Sequence, residues 1–221
     1  MTSGVTTTNS SLAGVQVGTS GWSYPSWRPG FYPEGTRPEE FLRFYAQRFA
    51  TVELNTTGYR IPGEDQFRKW AEQVPQGFTF APKLNAHARA PVGTFCERVR
   101  LLGERLGPVR AVLASKRDEG LLSLLAGSFD PELRIAWDFR HDSWLDAELP
   151  EGTAAVDDLE RDAPFRYLRL REPPYDDDEL RAWAERIRAL DVPTYVYFQH
   201  EDEPTAPQYA QCLIELLGDY A

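Results

Sequence analysis

Two carboxylates stand out by type and place: Glu53 in "TVELN" (Thr51 to Asn55) and Asp138 in "RIAWDFR" (Arg134 to Arg140). In both stretches apolar and polar residues alternate with period two, as in a strand whose faces meet different surroundings. Val52 and Leu54 oppose Glu53 and Asn55; Ile135, Trp137 and Phe139 oppose Ala136, Asp138 and Arg140. Each acid lies toward the C-terminal end of its stretch. Two acids gathered at one site can act as general acid and base, with Glu53 the first choice for the base and Asp138 for its partner.

Cations follow the same pattern. Phe78 and Phe80 oppose Lys83, Leu168 and Leu170 oppose Tyr167, Arg169 and Arg171, and Val196 and Phe198 oppose Tyr195, Tyr197 and Gln199. Arginines beside an acid/base pair stabilise developing negative charge. Glu53, Asp138 and Asp157 neutralise three of Lys83, Arg140, Arg169 and Arg171, so one cation is left over and points to an anionic small molecule. A purely structural ion-pair network would use the same residues, because such networks also gather charge without doing chemistry.

The remaining candidates are aromatic, amide or imidazole groups. "VGTSGWSYPSWRPGFYP" (Val17 to Pro33) sets Trp22, Tyr24 and Trp27 among glycines and prolines, as a loop over a pocket would. Trp22 fits a stacking wall for a flat ligand and a packing lid equally well, whereas Phe31 and Tyr32 fit packing. Tyr59, His141 and Trp144 complete the substrate-binding set with Trp22, Tyr24, Asn55, Lys83, Arg140, Asp157, Arg169, Arg171, Tyr197 and Gln199. His141 and His200 show no metal-ligand spacing with Asp157, so neither a metal nor another cofactor is expected. Ser20, Ser143 and Cys96 lack a nucleophile-elbow context.

To position these groups the chain offers eight strand-like segments: 15–20, 51–55, 78–83, 109–114, 134–140, a weak 153–158, 165–171 and 194–199. Helical spacing separates several of them: Phe41, Tyr45 and Phe49; Phe67, Trp70, Ala71 and Val74; Phe95, Val99, Leu102 and Leu106 behind a Thr94/Glu97 capping box; and Leu180, Trp183, Ala184 and Ile187. This alternation predicts an α/β fold, a TIM-type (β/α)8 barrel of parallel strands, although an open doubly wound sheet would show the same alternation. No G-x-G-x-x-G follows a strand, against a dinucleotide-binding sheet. Residues 140–153 leave hardly any room for a helix, so the crossover after the fifth strand is expected to be shortened. Helices wrapping the barrel require the apolar strand faces, so the polar faces must line the lumen.

Length and composition bound the rest. With 221 residues, 42% hydrophobic, one domain over 14–221 is expected behind a disordered tail, 1–13. A net charge of −10 disfavours coating nucleic acid. Two distant cysteines and no signal-like or membrane-spanning stretch predict a cytoplasmic protein; the oligomeric state is open.

"VGTSGWSYPSWRPGFYP", "TVELNTTGYRIP", "RKWAEQVPQGFTFAPK", "WDFRHDSW", "YLRLR" and "YVYFQHEDEPTAPQYA" resemble, in this order, the successive signatures of the YecE-like family, domain of unknown function seventy-two. The resemblance implies a strand–helix barrel with a polar pocket at the strand ends; it implies no known reaction. This chain has Asp138 where the family pattern has Glu, and Arg171 and Glu172 where it has His and Gly. The combined expectation is a hydrolase or lyase acting on a phosphorylated or carboxylated small molecule. The alternative is a non-catalytic ligand-binding or regulatory barrel, such as an inactive diverged member.

Overall fold

Each strand exposes one apolar row, and those rows decide the architecture. A computed structural model describes residues 14–199 and 202–218; the tail 1–13 and His200 lie outside the described residues. The strands are β1 (Val15–Thr19), β2 (Thr51–Leu54), β3 (Thr79–Ala86), β4 (Val109–Leu113), β5 (Ile135–Phe139), β6 (Ala154–Ala155), β7 (Arg166–Leu170) and β8 (Thr194–Phe198). All pair in parallel in the order β6-β5-β4-β3-β2-β1-β8-β7. A parallel bridge between Val156 and Tyr167 spans the seam from β6 to β7, so the sheet rolls into a nearly closed barrel. This is the expected TIM-type arrangement.

Outside the sheet, Val52, Leu54, Phe80, Val109, Trp137, Leu168 and Val196 bury against the helices. Those helices are α1 (Phe41–Tyr45), α2 (Glu64–Gln73), α3 (Val92–Val99), α4 (Glu119–Ser128), α5 (Asp177–Arg188) and α6 (Thr205–Gly218). Asp176 caps α5, accepting from the Glu179 amide while the Glu179 side chain returns to the Asp176 amide. The capping box expected at Thr94 does not form: α3 starts at Val92 behind Pro91, with no side-chain cap. Proline's fixed φ suits a helix entry, and starting there places Phe95 and Val99 on the buried face.

As expected, the crossover after β5 is short, with only a 3-10 turn at Asp142–Trp144. The β6–β7 connection also lacks a helix, so two adjacent strands go without the usual cover. At the other side of the barrel β1 and β2 are unusually close. A Cβ on Gly18 would lie 2.0 Å from the Thr51 carbonyl oxygen, which itself accepts a 3.0 Å hydrogen bond from the Tyr45 hydroxyl. Only glycine fits that approach.

The lumen departs from the aliphatic filling usual in such barrels. Its lower layers hold Ala81, Ala136, Ala154, Ala163, Phe165, Tyr167, Tyr195 and Tyr197. Polar ends are paired: the Tyr197 and Thr51 hydroxyls lie 2.8 Å apart, and Thr79 Oγ1 donates to Thr51 Oγ1 at 3.0 Å. Arg134, just before β5, meets Tyr195 from the N-terminal side, and the cluster around Glu53 and Asp138 lies beyond this floor, toward the C-terminal strand ends.

Candidate functional site

Glu53, on β2, points into the lumen and is fully buried. Arg169 Nε, from β7, donates to Glu53 Oε1 at 2.9 Å and Oε2 at 3.2 Å; the Tyr167 hydroxyl donates to Oε1 at 2.7 Å. Arg110 Nη1, from β4, lies 3.4 Å from the same oxygen. Burial alone would raise the Glu53 pKa. The Arg169 and Arg110 charges and the Tyr167 and Arg169 hydrogen bonds outweigh it and hold the carboxyl at about 2. A carboxylate so enclosed is a poor proton acceptor at neutral pH, and its effect is to fix two guanidinium groups.

Asp138 sits on the opposite flank of Arg110. Its Oδ2 accepts from Arg110 Nε at 2.7 Å and from Arg140 Nη2 at 2.7 Å, and lies 2.6 Å from Arg110 Nη2. Among the described residues nothing donates to Asp138 Oδ1. Both hydrogen bonds to this carboxylate thus fall on one oxygen, Oδ2.

Asp157 holds the seam. It adopts φ 64°, a left-handed conformation that aspartate tolerates better than most residues. Its amide donates to the Tyr167 carbonyl at 2.9 Å and its Oδ1 accepts from the Arg169 amide at 2.6 Å, while Oδ2 pairs with Arg171. Ser20 Oγ, at the end of β1, accepts from Asn55 Nδ2 at 2.7 Å and Arg169 Nη2 at 3.2 Å.

Lys83 differs from these cations. Its stem passes Gly58, its Nζ lies 4.8 Å from the centroid of the Tyr59 ring, and no carboxylate among the described residues reaches it. Burial, then the Arg110 charge, lowers its pKa. Burial and then the Arg140 charge likewise lower that of Arg171. At the mouth Lys83, Arg110, Arg140, Arg169 and Arg171 thus face Glu53, Asp138 and Asp157, two cations in excess.

The other candidates take different places. Tyr197 lies in the floor, beneath the charges. Trp144 is buried, stacks on Phe139 at 4.7 Å and donates its indole N–H to the Ser115 carbonyl at 2.8 Å. His141 Nδ1 accepts from the Ser143 amide at 3.1 Å. Gln199 is exposed, its amide donating to the Leu170 carbonyl at 2.9 Å. Tyr59 is 81% exposed. Tyr24 donates to the Ser20 carbonyl at 2.8 Å, and Trp22 packs edge-on against Trp70 and Phe80. Trp27 is not laid over the mouth: it is fully buried against Phe31 and Tyr32, which themselves pack on Phe44 and Phe41 of the first crossover. With α1 only five residues long, these rings supply the apolar cover a longer helix would give.

Arg110 and Tyr167 were absent from the expected site. Arg110 was legible by the same alternation that singled out Glu53: in "VRAVL", Val109, Ala111 and Leu113 share the buried outer row and leave Arg110 facing inward.

Comparison with known proteins decides the family. The family described as protein of unknown function DUF72 matches residues 16–221. The chain belongs to this family. Among curated proteins, the UPF0759 protein YecE of Escherichia coli (strain K12) is 33% identical over 103 residues, covering 42% of this chain and 35% of that protein; the O157:H7 protein of the same name gives the same figures. The matched region therefore spans about a third of the length of these curated relatives. Two crystal structures of a DUF72 family protein from Enterococcus faecalis V583 superpose with TM-scores of 0.73 and 0.72. They are 15% and 16% identical, covering 92% and 94% of this chain and 97% and 96% of theirs. At that identity the likeness is one of fold. Among the described residues of this DUF72 barrel no helix is long and apolar enough to cross a membrane, and no group of three His, Cys, Asp or Glu side chains could hold a metal ion.

Proposed function

We propose that the barrel mouth binds an anionic small molecule and acts on it by acid/base chemistry, as a hydrolase or lyase for a phosphorylated or carboxylated substrate. The observation that carries this is the two-cation excess, with Lys83 left without a carboxylate. Uncompensated charge at a half-enclosed site costs several kcal/mol in general and is relieved by a counter-charge, here the ligand's. Lys83, Arg140 and Arg171 hold the anion and Arg110 stabilises developing negative charge. Asp138 moves the proton through Oδ1; Glu53 positions Arg110 and Arg169.

A second reading rests on the enclosure of Glu53. With Glu53 locked at about 2 and Asp157 engaged by the Arg169 amide and Arg171, the site also suits a barrel that binds its ligand without turning it over. Calorimetry with inorganic phosphate, followed by turnover assays of the wild type and Asp138→Asn on a panel of phosphorylated and carboxylated metabolites, separates the two. Turnover lost in Asp138→Asn with binding kept supports the enzyme. Tight binding with no turnover supports the binding protein, and failure of every anion to bind refutes both.

A further inference from the structure

Where the helices after β5 and β6 are missing, the outer sheet face is not left flat. A cavity of about 610 Å3 opens there, within the roughly 300–1,000 Å3 typical of small-molecule sites. Trp137, Phe139, Trp144, Leu145, Val156 and Leu159 supply its apolar lining, and Asp142, Asp158 and Glu160 share the lining with Arg140 and Arg161. Phe139 and Trp144 stack on each other with an interplanar angle of 16°, while Leu145 remains 72% exposed. The wall also holds an unmet polar demand. Trp137 is fully buried, yet its Nε1–H finds no acceptor among the described residues, which packing normally avoids. Arg140 and Asp157 line this cavity and also pair with Asp138 and Arg171 at the charged mouth, so these two residues are common to both places.

We propose that this cavity receives a flat ring attached to the anionic group held at the mouth, so that the substrate class is a ring-bearing phosphate or carboxylate. The inference rests on the anion-binding reading above and adds to it the second half of the ligand. Arg140 faces the junction between the anion and the ring, and the missing crossover helices are what make room for the ring.

Methylphosphonate and phenylphosphonate share an anionic head and differ by the ring, so calorimetry with this pair isolates the cavity. Phenylphosphonate is expected to bind about tenfold tighter, the scale set by burying one ring face. That gain should vanish in Leu145→Asp and in Ala155→Leu, which charge and narrow the cavity, while methylphosphonate affinity stays unchanged. In the wild type, phenylphosphonate but not methylphosphonate should shift the Trp137 indole N–H resonance, identified by its loss in Trp137→Phe. Equal affinity for the two probes, or a ring gain that survives both cavity variants, overturns the cavity proposal and leaves the anion site standing. Phenylphosphonate binding that is sensitive to Leu145→Asp but indifferent to Lys83→Met overturns the shared ligand and with it the anion reading. No binding of either probe overturns both.

Discussion

Arg110 Nε donates a 2.7 Å hydrogen bond to Asp138 Oδ2, tying the neighbouring strands β4 and β5 on their lumen side. The Nη1 atom of the same guanidinium lies 3.4 Å from Glu53 Oε1, so one buried cation couples the two acids that alternation had marked separately. Both carboxylates and the arginine are almost wholly withdrawn from water. Each member's charge is tolerable because the others are present.

Glu53→Gln keeps the shape and removes the charge. Arg169 and Arg110 are then buried with one counter-charge fewer, and unfolding in denaturant should show a loss of about 3–5 kcal/mol, the range for breaking a buried ion pair. A neutral or stabilising effect would mean that the barrel does not depend on this network.

The same carboxylate sets an acid limit. Its pKa is depressed in the folded state, so the unfolded chain takes up the proton first as pH falls. The stabilisation is complete above the usual carboxylate range and disappears on the way down to about 2. Wild-type stability measured from pH 6 to pH 2 should therefore fall more than that of Glu53→Gln. Parallel curves would contradict the assignment.

Lys83 has no carboxylate among the described residues to lose. Lys83→Met removes a half-buried charge that has no carboxylate beside it, so unfolding in denaturant should show stability raised rather than lost. It should weaken phosphate binding about tenfold, an effect that shrinks as salt is added. Unchanged phosphate affinity would remove Lys83 from the site.

Asp157 combines a left-handed backbone with two carboxylate contacts to β7. Asp157→Ala loses the contacts and keeps the strain, at a cost of about 2 kcal/mol; Asp157→Asn, which tolerates the conformation and can still accept from the Arg169 amide, should cost less. Hydrogen exchange should quicken at the Arg169 amide in the alanine variant. Identical exchange there in all three proteins would show that the seam is held elsewhere.

Gly18→Ala places a methyl group 2.0 Å from the Thr51 carbonyl oxygen. The strands must part to admit it, so a loss of about 1–3 kcal/mol is expected from thermal or denaturant unfolding. No change would mean that β1 and β2 can separate freely at this point.

The barrel was legible because burial imposes a period. Val52/Leu54, Ile135/Trp137/Phe139 and Leu168/Leu170 could face only the helices, and that turned Glu53, Asp138 and Arg169 inward without any knowledge of their neighbours. The short crossover after β5 followed from chain length alone. The same reading stopped short at Arg110, whose strand obeys the rule, and at α3, where Thr94 and Glu97 have cap spacing but Pro91 supplies the entry. Trp27 looked like a pocket wall because large rings between glycines and prolines serve ligands and packing alike. Only the five-residue length of α1, with space left to fill beside it, resolves which.

By itself, then, the order of residues determined the parallel strand–helix alternation, the inward charged row and the excess of cations over acids, since these follow from local periodicity and counting. Tertiary structure alone decided that Glu53 is sealed between Arg169, Tyr167 and Arg110 while Lys83 is only half-buried and meets no carboxylate among the described residues. It also decided that the strands without helices enclose a cavity rather than a bare face. Pairing and pKa depend on distances of a few ångströms between residues as far apart in the chain as Glu53 and Arg169, and those distances exist only once the barrel closes.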